Sequence, residues 1–376
     1  MSDSWLSEPR GILKCEADAM FRLGQLDGAL RHCTPATRRI FAGKVLRSTL
    51  VSALRQEGHA FTDLRFQAWF AGLATLSDTP ARHARSPRAM GDAILMELTH
   101  SAWQDLAGLA ARLIRAFLAP RDLDTDNAHE AALDVIAQAR VLISAGLASH
   151  SSSPLASLER LHHDLATSVT FARAEPVPTQ SLTGRRSGNV EPAASPRWAV
   201  EMLAGEWLHR QGALPFPIPL PDLIRLNSLS GTASEARQAR AAALESVARQ
   251  FSTAVADCAR LAASPDKALE LRSTSRAPAL FELLAGFGAM RSTQLETVIG
   301  ASRLGVRGML DTLLSAGMVE RTKVAGAYLF DAAHPSKLEI PSPEASNAPA
   351  FSTAALDEYD ASLADLDRLL DNKHDR

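Results

Sequence analysis

Ser302-Arg303-Leu304-Gly305-Val306-Arg307-Gly308-Met309-Leu310-Asp311-Thr312-Leu313-Leu314-Ser315-Ala316-Gly317-Met318-Val319 is the stretch on which the fold of this chain turns. Serine at 302 suits a helix N-cap, because its hydroxyl accepts from a first-turn backbone N–H that has no partner inside the helix. Val306, Leu310 and Leu313 recur at helical spacing and give the helix one aliphatic side with which to anchor itself. Arg303 and Arg307, one turn apart, then share the outward face. Gly317 stops the helix and releases the chain into the strand-like run Met318-Val319-Glu320-Arg321-Thr322-Lys323-Val324. Arg321 and Lys323 alternate onto one side of that strand. Ala325-Gly326 makes a turn, and Ala327-Tyr328-Leu329-Phe330 returns.

Upstream of this stretch, Leu280, Phe281, Leu283, Leu284 and Phe287 mark a short helix from Ala277 that ends near Gly288. Thr293 followed by Glu296 fits a capping box for a second helix, which runs through Val298 and Ile299 and stops at Gly300. Helix, helix, tight turn, helix and two-stranded hairpin is the order of a winged helix-turn-helix, expected over residues 276–331. Such a module sets its third helix in the major groove and its hairpin on the phosphate backbone. The candidate DNA-binding residues are therefore Ser302, Arg303, Arg307, Arg321 and Lys323. Gly305 and Gly308, inside the third helix, each cost on the order of 1 kcal/mol of helix stability relative to alanine. The competing reading is a module that binds protein only, with both arginines on a solvated face.

The rest of the chain reads as helical, so the expected fold class is mainly α: a helical N-terminal domain plus the C-terminal winged helix-turn-helix. Leucine-rich helical spacing predicts helices over Asp18–Cys33, Thr37–Gln56, Asp63–Leu73, Ala89–Phe117, Ala131–Ala148 and Leu155–Ala172, with Thr79–Arg88 as a polar, basic loop. Together these make a helical N-terminal domain over residues 1–173. Residues 174–197 then read as a flexible linker or long surface loop, since Ala174 to Pro196 holds four prolines, two glycines and three serines. Residues 198–270 form a helical connector. Within it Pro215, Pro217, Pro219 and Pro221 alternate with Phe216, Ile218 and Leu220 as a stiff spacer or a partner-binding motif. The connector ends in a long amphipathic helix, Ala233–Ala263, with Leu244, Val247, Phe251, Val255, Cys258 and Leu261 in one stripe. That stripe suits either dimerisation or packing on the chain's own core. Residues 332–376 form an acidic tail with interleaved leucines, able to dock as a helix or to shield the basic hairpin.

Bulk properties narrow the function classes. The chain has 376 residues, a net charge of −2 and 46% hydrophobic residues. Near-neutral charge excludes a polybasic coat protein but leaves room for a local basic patch. Cys15, Cys33 and Cys258 are scattered and form neither a disulfide framework nor a zinc ribbon. Without an apolar leader or a membrane-length apolar run, a cytoplasmic location without membrane contact is expected.

Further motifs resemble a known family. Arg22-Leu23-Gly24-Gln25-Leu26-Asp27, Arg55-Gln56-Glu57-Gly58-His59 and the Ser302 to Val319 run resemble an uncharacterised bacterial family, often plasmid-borne. It joins a helical N-terminal domain of unknown function to a C-terminal helix-turn-helix DNA-binding domain. The resemblance covers most of the chain and implies a transcriptional regulator or plasmid-maintenance factor. Val45-Leu46-Arg47 with Arg55-Gln56-Glu57-Gly58 is also similar to Fic-type adenylyltransferases. Their histidine-proline-phenylalanine loop and Gly-Asn-Gly phosphate cradle are missing, however. His334-Pro335 lies beyond the hairpin, Gly188-Asn189 is followed by Val190, and Ala53 stands where a serine or threonine is expected. That likeness implies a non-catalytic regulatory or interaction adaptor.

Other constellations carry less chemistry. Glu159 and His163, four apart, could share one helical face, but the neighbouring His162 and His163 point in different directions and His162-His163-Asp164 suggests no third and fourth ligand nearby, so no metal site is expected. Gly43-Lys44 lacks the earlier glycine of a P-loop. Arg82, His83, Arg85 and Arg88 cluster in the loop, as a solvated group or a second nucleic-acid contact. The expectation is a non-enzyme without cofactor. Its partner is double-stranded DNA, alongside a homodimer through the N-terminal domain or the 233–263 helix.

Overall fold

Thr34 ends one helix and starts the next. In the computed structural model its backbone is extended and its hydroxyl accepts from Thr37 N at 3.2 Å, with Pro35 at the first helical position. This divides α1 (Ser7–His32) from α2 (Pro35–Gln56). The structure describes residues 7–78, 80, 84–121, 125–148, 153–172, 177–180, 187–190, 195–224, 232–264 and 275–333. The acidic tail lies outside them, apart from its first two residues, as do His334-Pro335, Arg82 and His83. The fold is mainly α-helical.

Helix α2 is the central post. Ile40, Phe41, Val45, Leu46, Leu50 and Leu54 are buried, and so are Ala42 and Gly43. It touches α4 (Pro87–Leu98), α5 (Gln104–Ala116), α8 (Arg197–Arg210), α9 (Ala233–Ala262) and α10 (Ala277–Phe287). Helix α9 begins with a capping box in which Thr232 and Glu235 satisfy each other's backbone donors. Its stripe, Leu244 to Leu261, packs within the chain along α1 and α2. Helices α3 (Asp63–Phe70), α6 (Thr125–Ala148) and α7 (Pro154–Thr167) complete this part.

Several expectations need correction. The run Ala89–Phe117 is two helices, α4 and α5, separated at Thr99–Trp103. Trp103 is buried there, stacked on Phe216 with ring centroids 4.7 Å apart, so tertiary packing turns the Thr99–Trp103 link, which holds no proline or glycine. Arg88 belongs to the first turn of α4 rather than to a loop, behind the N-cap Ser86. The 174–197 segment is not wholly irregular, because β1 (Val177–Gln180) and β2 (Ser187–Val190) pair antiparallel within it. Gly188-Asn189 lies in that second strand. The proline segment is packed by its own apolar residues, with Ile218 and Leu220 in the core. It lies so close on α8 that any Cβ at Gly205 would overlap the Ile218 carbonyl, and Leu220 N donates to Glu201 O at 2.9 Å.

The boundary expected before Arg276 is no break in packing. Buried side chains from Ala19 to Val319 form one continuous core. Helix α10 crosses α2 at Gly43 and Gly286, where a Cβ on Gly286 would stand 2.6 Å from Ile40 O. Only paired glycines let the backbones approach so closely. Arg39 Nε and Nη2 close the crossing on Glu282 at 2.6 and 2.9 Å. Phe287 enters an aromatic cluster with Phe66 and Phe70, the nearer centroid at 4.8 Å, and Phe70 stacks on Phe117 at 4.6 Å. Burying one such ring is worth roughly 1.5–3 kcal/mol. Among the described residues, no helix is long and apolar enough to cross a membrane.

Candidate nucleic-acid interface

The C-terminal elements after α10 are α11 (Ser292–Ile299), α12 (Arg303–Ser315), β3 (Val319–Val324) and β4 (Ala327–Ala332). The expected Thr293–Glu296 capping box is replaced by one that starts two residues earlier, where Gln294 Oε1 accepts from Arg291 N at 3.0 Å. Gln294 is buried, and its amide donates to Phe70 O at 3.2 Å and Ala116 O at 2.8 Å, tying α11 to the helical body. An exposed threonine could not replace those bonds, so long-range pairing selects the cap.

Gly300 closes α11 in the left-handed conformation, φ 65° and ψ 42°. Ser302 then caps α12, its hydroxyl accepting from Gly305 N at 3.3 Å. Val306, Leu310 and Leu313 are buried, as their spacing demanded. The opposite face carries Arg303, Leu304, Arg307, Gly308 and Asp311, all exposed. Arg307 has 79% of its side chain open and reaches Asp311 at only 3.9 Å. Leu304 is 80% exposed, the kind of apolar contact point that burial would normally remove. Gly308 has no atom within 4 Å of where a Cβ would stand, so nothing inside the fold requires a glycine there.

Gly317, at φ 68°, starts the hairpin, and Ala325 and Gly326 turn it with φ of 46° and 82°. Two positive φ values match the twist of the flanking strands. The register sets Arg321 opposite Phe330 and Lys323 opposite Tyr328. Arg321 stands over the Tyr328 ring at 5.2 Å. Met290 exchanges backbone hydrogen bonds with Phe330 at 3.0 and 2.9 Å, anchoring the hairpin to the α10–α11 link. Arg321 and Lys323 are exposed. Among the described residues, no carboxylate lies within ion-pair distance of Arg303, Arg321 or Lys323.

Several of the other singled-out groups point inward. Arg85 pairs with the buried Glu57 carboxylate, which also accepts from Trp198 Nε1 at 2.9 Å. Gln56 donates to Glu201 at 2.7 Å. Gln56 and Glu57 of the Arg-Gln-Glu-Gly segment are thus engaged inward, while Arg55 is exposed. Burial pushes the Glu201 carboxyl up to about 7. His162 is buried too, Nδ1 donating to Leu158 O at 2.8 Å, and burial holds it down at about 4. His163 is exposed, and Glu159 pairs with Arg240 at 2.8 Å. Among the described residues, no group of three His, Cys, Asp or Glu side chains could hold a metal ion. Burial raises the Cys258 thiol to about 12, leaving it unreactive at neutral pH.

In comparisons with known families and curated proteins, the chain matches no family model and no curated protein. The exposed face of α12 and the hairpin cations remain as the surface with the most legible chemistry. Sequence reasoning passed over Leu304, although it falls outside the frame set by Val306, Leu310 and Leu313.

Proposed function

We propose that residues 277–332 act as a winged helix-turn-helix that binds double-stranded DNA, and that the chain is a non-enzymatic regulator of the kind its family resemblance implies. The observation that carries this reading is the α12 face, where Arg303 and Arg307 stand open to solvent and Arg307 has only a loose contact with Asp311, at 3.9 Å. Helix α12 presents them from its first two turns, as a recognition helix does when its N-terminal residues meet base edges. Leu304 between them suits a thymine methyl group. Arg321 and Lys323 serve the phosphate backbone.

A fluorescence-anisotropy titration of the full chain on duplex DNA at several salt concentrations tests the proposal. Arg303→Ala and Arg307→Ala should each weaken binding by about 1–3 kcal/mol if they read bases. If all four cations meet phosphates instead, the slope of log affinity against log salt is about −3.6. Duplex binding that survives replacement of all four by alanine would refute it.

A further inference from the structure

Between α2, α9 and α10 lies an open cleft of about 340 Å³. Its walls are apolar at Phe41, Val51, Phe251 and Ala254, and the backbone of Gly286 closes the α10 side. Lys44, Arg47 and Arg55 line it against the single carboxylate of Asp63. Asp63 serves both guanidinium groups, at 3.0 Å from Arg47 and 3.5 Å from Arg55. Lys44 has neither an ion-pair nor a hydrogen-bond partner for its ammonium group among the described residues. Three cations against one carboxylate leave a positive field beside apolar walls.

We infer that this cleft binds a small amphipathic organic anion: a carboxylate or sulfonate on an aromatic or aliphatic body. The head group meets Lys44 and Arg47, and the body lies against Val51, Ala254 and Ala285. The volume falls in the range of roughly 300–1,000 Å³ typical of small-molecule sites, which join apolar walls to a few placed polar groups. Bare phosphate would leave the half-buried Val51, Ala254 and Ala285 wet, and a neutral apolar molecule would leave Lys44 unanswered. The inference is independent of what α12 binds.

The test is a fluorescence titration of the full chain with 8-anilinonaphthalene-1-sulfonate, followed by displacement with salicylate, its neutral amide salicylamide, or inorganic phosphate. The expected result is saturable binding, reversed by salicylate at concentrations at least tenfold below those needed for either control. Lys44→Glu should weaken the dye by tenfold or more, and Ala254→Trp should block the cleft. Arg303→Ala should leave dye binding unchanged. Circular dichroism and urea midpoints matching the parent keep the variants comparable. The inference is overturned if the parent shows no saturable binding, if Lys44→Glu and Ala254→Trp folded like the parent bind as it does, or if salicylamide or phosphate displaces the dye as well as salicylate.

Discussion

Several arginines of the helical body are held by carboxylates, whereas Arg303 of α12 and Arg321 of the hairpin are not. In the body, Arg39 holds Glu282, Arg65 holds Asp78, Arg85 holds Glu57 and Arg240 holds Glu159. Arg88 is the extreme case. It bonds Asp92 at 2.7 Å and the carbonyls of Phe117 and Ala119 at 2.7 and 3.1 Å, with the Phe117 ring 3.9 Å away. Arg303, Arg321 and Lys323 have no carboxylate partner among the described residues. Paired cations are parts of the fold, whereas cations left in water cost the fold nothing and remain available to a partner. The contrast says which arginines are structural and which face outward, and it can be broken experimentally.

The largest expected effect is on stability at Arg88. Arg88→Ala strands Asp92 and two buried carbonyls and should lower unfolding free energy by about 3 kcal/mol. Arg303→Ala should change it by less than about 0.5 kcal/mol. Urea unfolding of both variants checks the pair, and equal losses would erase the distinction between the regions. Gly286→Ala comes next. A methyl 2.6 Å from Ile40 O must part α2 from α10, at about 1–3 kcal/mol. A neutral result in the same melts would mean that the module is not built into the body.

The buried ionisable groups sharpen the comparison through pH. Glu201 titrates near 7 when folded, above its ordinary 4.5, so its favourable contribution is complete below 4.5 and is lost as pH rises through 7. His162, at about 4 against an ordinary 6.5, contributes fully above 6.5 and loses that contribution as pH falls through 4. Between these limits the two groups offset each other. Glu201→Gln should therefore make stability rise with pH between about 5 and 6.5 more steeply than in the parent, by up to about 1.4 kcal/mol per pH unit. Urea midpoints across that range test it, and parallel profiles would contradict the burial of Glu201. The smallest effect belongs to Gly308. Gly308→Ala should stabilise α12 by up to about 1 kcal/mol while weakening duplex binding. Melts and anisotropy on one sample decide it, since unchanged affinity would show that the duplex does not come within a methyl group of that glycine.

Local signals in the sequence were good guides where the fold is local. Ser302, Gly300, Gly317 and the Val306, Leu310, Leu313 frame all act as their types and spacings imply. What escaped depends on residues far apart in the chain. Gly43 meets Gly286, Gln294 answers carbonyls of Phe70 and Ala116, and Trp103 ends a helix by stacking on Phe216. No periodicity within a single segment encodes these partners. The candidate surface was legible in Ser302, Arg303, Arg307, Arg321 and Lys323, because exposure follows from the helical and strand frames. The cleft around Lys44 was not, since its walls come from three helices brought together only by the fold.

Hydrogen exchange of the full chain, with and without duplex DNA, bears most directly on the central claim. The first-turn N–H groups of α12 lack intrahelical partners and should exchange fast in the free chain. The account expects duplex DNA to slow exchange over residues 301–309 and 319–328 and to leave 35–56 unchanged. Protection confined to 35–56, or absent from both C-terminal segments at saturating DNA, would contradict it.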